Sequence, residues 1–182
     1  MLFKRKNKLS KWKSFLRYVW PEAGFKRANT YLFYRLVRLP GSTHSIAAGV
    51  ASGAAVSWTP LWGLHFILAA ALAYVLRGNI IASAFGTAVG NPWTFPAICA
   101  LNYQIGLEIL SLYGMTNWPA FSMEAVLEAP GDFFMPLMVG GVPSGIMIWF
   151  LFYGVMKLVL ETHMEKRAER KALKEKQRND QD

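Results

Sequence analysis

The charges of this chain are sorted along it, and that sorting limits its fold more than any motif does. Between Leu39 and Met156 there is one basic residue, Arg77, and four acidic ones, Glu108, Glu124, Glu128 and Asp132. The other nineteen of the 20 Lys and Arg residues fall in the first 38 positions and the last 26. A stretch this long with so few charges has nothing to set against water on a solvated face. Charged residues make up 17% of the 182 positions, against roughly 25% in soluble domains. The pattern predicts an all-α integral membrane protein in three parts. These are a basic N-terminal region at 1–38, a membrane domain at 39–156 and a charged cytoplasmic tail at 157–182.

The net charge of +9 raises nucleic acid as a partner, but no recognition motif accompanies it, and none is expected. Cations flanking apolar tracts set membrane orientation and meet anionic headgroups. The expected partners are therefore the lipid bilayer and anionic lipid headgroups. No secretory signal is expected, because eleven basic residues precede the first uncharged tract. The single cysteine, Cys99, excludes an intramolecular disulfide and reads as a small packed side chain.

Within the N-terminal region, Trp12, Phe15, Leu16, Val19 and Trp20 recur at helical spacing among Lys11, Lys13 and Arg17. That is the composition of an amphipathic helix in the membrane interface. A second basic and aromatic segment runs from Phe25 to Leu39. Packing of both on a soluble partner is the alternative.

Three uncharged tracts follow, 39–76, 78–107 and 133–156. A spanning helix needs about 20 apolar residues, so the third tract makes one span. The first is too long for one and is interrupted at Thr59-Pro60, where proline removes a donor and disfavours helix before it. It predicts helices over Thr43–Trp58 and Leu61–Leu76, each about 24 Å long at 1.5 Å per residue. Against a core of roughly 30 Å, they form either a re-entrant hairpin or two thin spans. The second tract breaks at Asn91-Pro92, giving a short piece at 80–90 and a longer one from Trp93 to about Tyr113. Residues 113–132 hold three carboxylates and no cation and read as an extracytoplasmic loop. The Lys/Arg asymmetry then puts both termini and Arg77 on the cytoplasmic side. The end of the tail carries like charges at i, i+4 (Lys166, Arg170, Lys174, Arg178), which weakens helix there.

The two broken tracts share a local pattern. Gly53-Ala-Ala-Val-Ser-Trp-Thr-Pro60 can be set beside Gly86-Thr-Ala-Val-Gly-Asn-Pro-Trp-Thr-Phe-Pro96. Paired short hydrophobic segments interrupted by Gly and Pro point to a transporter's binding region. Backbone freed at membrane depth must be buried in protein or line a wet cavity. Common packing residues in lipid account equally for the glycines and alanines.

Polar groups inside the tracts cost free energy unless partnered. Arg77 either snorkels to the interface, pairs with Glu108 or binds an anionic headgroup. Asn91 caps the helix that follows, whose free N–H groups would also attract an anion. His65 is either a packed, hydrogen-bonded group or a proton relay. No nucleophile elbow, zinc-binding HExxH, P-loop or CxxC is present. No metal or cofactor is expected. Glu124, Glu128 and Asp132 read as loop solubility rather than a cation site.

Ala47–Gly53, Pro60-Leu-Trp-Gly-Leu-His65, Arg77-Gly-Asn79 and Gly90-Asn-Pro-Trp-Thr-Phe-Pro96 resemble, in order, the blocks of a bacterial membrane family known as domain of unknown function 2062. The resemblance runs from about Tyr31 to Met156. It implies a bacterial inner-membrane location and supplies no substrate. It marks Pro60, His65, Arg77, Asn79, Asn91, Pro92 and Thr94 as candidate binding residues. The expected function is binding or movement of an amphiphilic or anionic envelope component, with a homo-oligomer enclosing the pathway. The alternative is a membrane scaffold that recruits an envelope-biogenesis enzyme through residues 1–38. A membrane enzyme using Glu108 and His65 is a third class.

Overall fold

Every regular element among the described residues is helical, and three of the helices start where a Ser or Asn side chain stands in for a missing backbone partner. The computed structural model describes residues 30, 33–61 and 63–179; the expected amphipathic helix around Trp12 lies outside them. The chain divides after Arg38 into two units. In the first, residues 33–37 are helical. The second holds α1 (Thr43–Ser57), α2 (His65–Val75), α3 (Ile80–Gly86, prolonged by a 3-10 turn at Thr87–Val89), α4 (Phe95–Ser111), α5 (Met123–Glu128) and α6 (Pro130–Asn179).

Helix α1 begins where Ser42 accepts a bond from the Ser45 N–H at 3.1 Å, the usual N-cap arrangement. It is buried all round from Ile46 to Ser57, which is why its sequence carries no polar stripe. At its end Trp58 and Thr59 donate to Ala55 and Val56 in a tightened last turn. Pro60 then prevents continuation, and Gly63, at φ +84°, turns the chain back into α2. Both elements follow the expected boundaries, with α2 starting later, at His65 rather than Leu61.

Helix α2 ends in a Schellman motif. Gly78 N–H reaches the Ala73 carbonyl at 2.7 Å and Arg77 N–H the Tyr74 carbonyl at 3.1 Å. That geometry needs a left-handed residue, normally glycine, yet the residue there is Arg77 at φ +54°. The chain then passes over the start of α1, where Asn79 N–H donates to Ser45 O at 2.7 Å. Asn79 caps α3 by accepting from the Ala82 N–H at 3.0 Å.

Helices α1 and α3 run parallel with their backbones in contact. A Cβ on Gly49 would strike the Asn79 carbonyl, one on Gly53 the Ser83 carbonyl, and one on Gly86 the Val50 carbonyl. The aligned glycines of the two broken tracts, Gly53 and Gly86, thus lie against each other. Helices α4 and α6 use the same device in antiparallel sense: Gly106 lies on the Pro136 carbonyl and Gly140 on the Asn102 carbonyl.

These contacts fix the levels of the domain. Asn79 meets Ser45, Tyr153 meets His44 and Met164 meets Thr43, so the start of α1, the end of α2 and the later part of α6 share one end. The tip of the α1–α2 hairpin meets Asn102 and Gly141 instead. From there, α4 continues nine residues to Ser111 and α6 begins eleven residues earlier, at Pro130. At 1.5 Å per residue these are about 14 and 16 Å beyond the tip. The hairpin therefore stops well short of the far end, whereas α3 with α4 runs the full length and α6 returns along it.

One feature differs from the sequence reading. The 113–132 segment is not a free loop: it folds back on α4, and Tyr103 donates to the Pro119 carbonyl at 2.6 Å. Val126 joins Cys99, Tyr103, Phe133 and Leu137 in a buried cluster, with Trp118 and Phe121 packed against it. Helix α6 covers the tract at 133–156 expected to form one helix, carries Pro136 and Pro143 in its interior without ending, and runs unbroken to Asn179. Among the described residues, one stretch, Pro130–Lys166, is long and apolar enough to cross a membrane.

Candidate binding site

The residues singled out in the sequence fall into two groups at opposite ends of α1. Arg77 and Asn79 lie at its start, and Pro60, His65, Asn91, Pro92 and Thr94 cluster around its finish. Ser45 and Ser57, which mark those levels, are twelve residues apart, about 18 Å of helix. One anion cannot bridge Arg77 and the helix after Pro92.

At the finish, the two proline breaks adjoin. Ser57 Oγ donates to Gly53 O at 2.9 Å and Thr87 O at 3.1 Å, and a Cβ on Gly90 would press on the Ser57 side chain at 2.8 Å. Asn91 Oδ1 accepts from Trp93 N–H at 2.9 Å and Thr94 N–H at 3.1 Å, and Asn91 Nδ2 donates to Ala88 O at 3.3 Å. The amide thus caps the first turn leading into α4 and occupies N–H groups that an anion would otherwise use. Thr94 Oγ1 lies between Asn91 N–H and the Val89 carbonyl. Pro92 is exposed and presets the turn. His65 Nε2 lies 3.3 Å from the Thr59 carbonyl, tying the hairpin tip together. Pro60 is buried.

A residue not selected from the sequence organises this level. Asn102 is buried, donates Nδ2 to the Trp58 carbonyl at 2.5 Å and accepts at Oδ1 from Ser144 Oγ at 2.7 Å. It joins the hairpin tip, α4 and α6, and it satisfies the carbonyl that Pro60 helps to orphan. Ser144 also shares its proton with the Gly140 carbonyl at 2.7 Å. The Trp58 indole N–H is buried without a partner among the described residues.

At the other end, Arg77 is exposed and no carboxylate among the described residues pairs with it; the ion pair found is Lys157–Glu161 at 3.9 Å. Glu108, offered above as its partner, sits on α4 beyond Asn102 and is out of reach. Nearby, His44 Nδ1 lies 2.9 Å from Tyr153 Oη, and Tyr153 stacks on Trp149 with centroids 5.0 Å apart. A non-glycine residue held left-handed costs roughly 1–2 kcal/mol, and backbone strain of this kind concentrates at functional positions.

Between these levels lies a cleft of about 370 Å³ bounded by α1, α2 and α6. Its walls include Val56, Thr59, Leu72, Leu76, Ile146 and Phe150. The Thr59 hydroxyl is turned into the Val56 carbonyl at 2.8 Å, so the surface presented is hydrocarbon. Sequence could not have found it, because its lining comes from three distant segments of ordinary apolar residues. No group of three or more His, Cys, Asp or Glu among the described residues is placed to hold a metal ion.

Residues 26–169 match the model of a family described as an uncharacterized protein conserved in bacteria, domain of unknown function 2062. No curated protein and no solved structure matches the chain.

Proposed function

Because the chain belongs to the bacterial family of domain of unknown function 2062, whose activity is unassigned, we propose a function from the geometry alone: an inner-membrane protein that binds, and moves across or within the bilayer, an amphiphilic anionic envelope component. Both termini lie in the cytoplasm in this reading. The observation that carries it is the depth of the α1–α2 hairpin. Its tip stops about 15 Å short of the far end of α4 and α6, close to half of a roughly 30 Å hydrocarbon core. In this reading the interrupted backbone at Thr59-Pro60 and Asn91-Pro92, with His65, Asn102 and Ser144, would lie near the bilayer midplane. Irregular backbone there is sheltered by protein, as lipid requires, and midplane sites between broken helices are where secondary transporters hold cargo. Arg77 would sit at the cytoplasmic interface.

The test is transbilayer movement of a fluorescent anionic lipid in liposomes reconstituted with the full chain. Movement faster than in protein-free vesicles, slowed by Arg77→Ala, is expected. Movement no faster than in empty vesicles removes the transport half of the reading.

One observation favours a second reading, a membrane scaffold. Beyond Met156 the helix α6 continues for 23 residues to Asn179, and Glu165, Lys166, Glu169, Leu173 and Lys176 along it are exposed. A charged helical arm of about 34 Å is a platform for a soluble enzyme. A stoichiometric crosslinked partner, lost on removing residues 157–182 or 1–38 with lipid movement intact, favours the scaffold.

A further inference from the structure

We propose that the cleft between α1, α2 and α6 is a seat for a two-chain anionic lipid of the cytoplasmic leaflet, with Arg77 as its headgroup contact. The proposal deepens the membrane reading above and rests on it.

The first support is the match of shape and chemistry. The cleft runs along α6 from Val142 to Phe150, eight residues or about 12 Å, and ends at the hairpin tip. That is close to the depth of one leaflet, half of a core of roughly 30 Å. Its walls expose hydrocarbon, and its 370 Å³ lies within the 300–1,000 Å³ or so typical of ligand sites. At roughly 30 Å³ per small group, about the share of one water in the liquid, it takes on the order of a dozen methylenes. A second apolar groove of about 360 Å³ shares Val56, Thr59 and Leu72 with the first and continues along α2 past Leu68 to Val75. Two hydrocarbon channels that meet at one seam and both climb the last turn of α2 suit two chains leaving one headgroup.

The second support is charge. The residue after Leu76, at the lip of the cleft, is Arg77, the one basic residue between Leu39 and Met156. It is exposed, has no carboxylate partner among the described residues, and is held left-handed at φ +54° where glycine would fit without strain. Its neighbour Gly78 shows that the chain has glycine to hand. Arginine at this position supplies what glycine would not, a planar guanidinium that suits a phosphate. A cation at the interfacial end of a hydrocarbon groove favours an anionic lipid over a zwitterionic one, whose ammonium offsets the attraction of its phosphate.

The experiment is native mass spectrometry of the full chain with phosphatidylglycerol and phosphatidylethanolamine of identical chains, for wild type, Arg77→Gly, Arg77→Lys and Ile146→Trp. Arg77→Gly relieves the backbone, so its thermal stability should equal or exceed wild type and any lost binding is not misfolding. The expected result is a preference for the anionic lipid in wild type that falls about tenfold in Arg77→Gly, the size of one charge-assisted contact, and is largely kept in Arg77→Lys. Ile146 is 54% exposed, so tryptophan there fills the cleft without entering the core and should lower retention of both lipids. An unchanged preference in Arg77→Gly, or unchanged retention in Ile146→Trp, overturns the proposal. Insertion is read separately by resistance to alkaline extraction. Inserted protein with equal retention of both lipids overturns the lipid seat alone, whereas failure to insert overturns it together with the membrane reading.

Discussion

At the scale of single residues, the domain is built by removing side chains where backbones must touch and adding one amide where a backbone must be answered. Gly49, Gly53 and Gly86 let α1 and α3 meet carbonyl to Cα. Asn102 does the opposite work, filling the hydrogen-bonding need of the Trp58 carbonyl and of Ser144. Replacing it leaves the Trp58 carbonyl without its partner, a loss of roughly 1–3 kcal/mol, while Ser144 keeps the Gly140 carbonyl. Asn102→Ala should therefore lower the melting temperature in detergent more than Asn91→Ala, whose amide caps a turn exposed at Pro92 and Trp93, worth about 1 kcal/mol. A larger loss in Asn91→Ala would mean that the tip is held by the α4 cap rather than by the buried amide. Asn102 was visible in the sequence as one of several polar groups in apolar tracts. Its role was not, because the carbonyl it answers lies 44 positions away in the chain.

At the scale of elements, proline is a stop signal only when something else turns the chain. Pro60 ends α1 because Gly63 follows in a left-handed conformation. Pro92 ends a helix because Asn91 immediately recaps the backbone. Pro136 and Pro143 do neither, and α6 passes through both: Pro136 is buried at the Gly106 crossing, and Ser144, next to Pro143, is bonded to Asn102. The breaks at Thr59-Pro60 and Asn91-Pro92 were legible because each proline interrupts an apolar tract by removing a donor and disfavouring helix before it. The fold of residues 113–129 was not legible. Its two carboxylates and one proline resemble a solvated loop, and its anchors, Trp118, Phe121 and Val126, have no regular period. The Tyr103–Pro119 bond makes a prediction at this scale. Tyr103→Phe keeps the ring packing on Phe121 and Phe133 but removes the hydroxyl, at a cost of about 1 kcal/mol. Limited proteolysis should then cut within 113–122 faster than in wild type, with the rest of the domain unchanged. An unaltered cleavage rate would show that the aromatic cluster alone pins the segment.

For the whole molecule, the contacts of the structure show which helix ends share a level, and the sorted charges of the sequence supply the expectation of which side that level faces. Lys/Arg asymmetry groups Arg77 with both charged ends of the chain. The Asn79–Ser45, Tyr153–His44 and Met164–Thr43 contacts group the end of α2, the start of α1 and the later part of α6. Sequence left open whether the first tract makes a re-entrant hairpin or two thin spans. The contacts of Trp58 with Asn102 and Gly141 favour the hairpin, because α4 and α6 both outrun it. The most direct measurement is labelling with a membrane-impermeant thiol reagent in a Cys99→Ser background, with single cysteines at Arg77, Leu64 and Asn117. All three positions are exposed on the protein, so reactivity reports the side of the membrane. The expected result is that position 117 reacts in spheroplasts, position 77 reacts only in inverted vesicles, and position 64 at the hairpin tip reacts from neither side. Reaction of position 64 from the same side as position 117 would contradict the hairpin and make the first tract two full crossings.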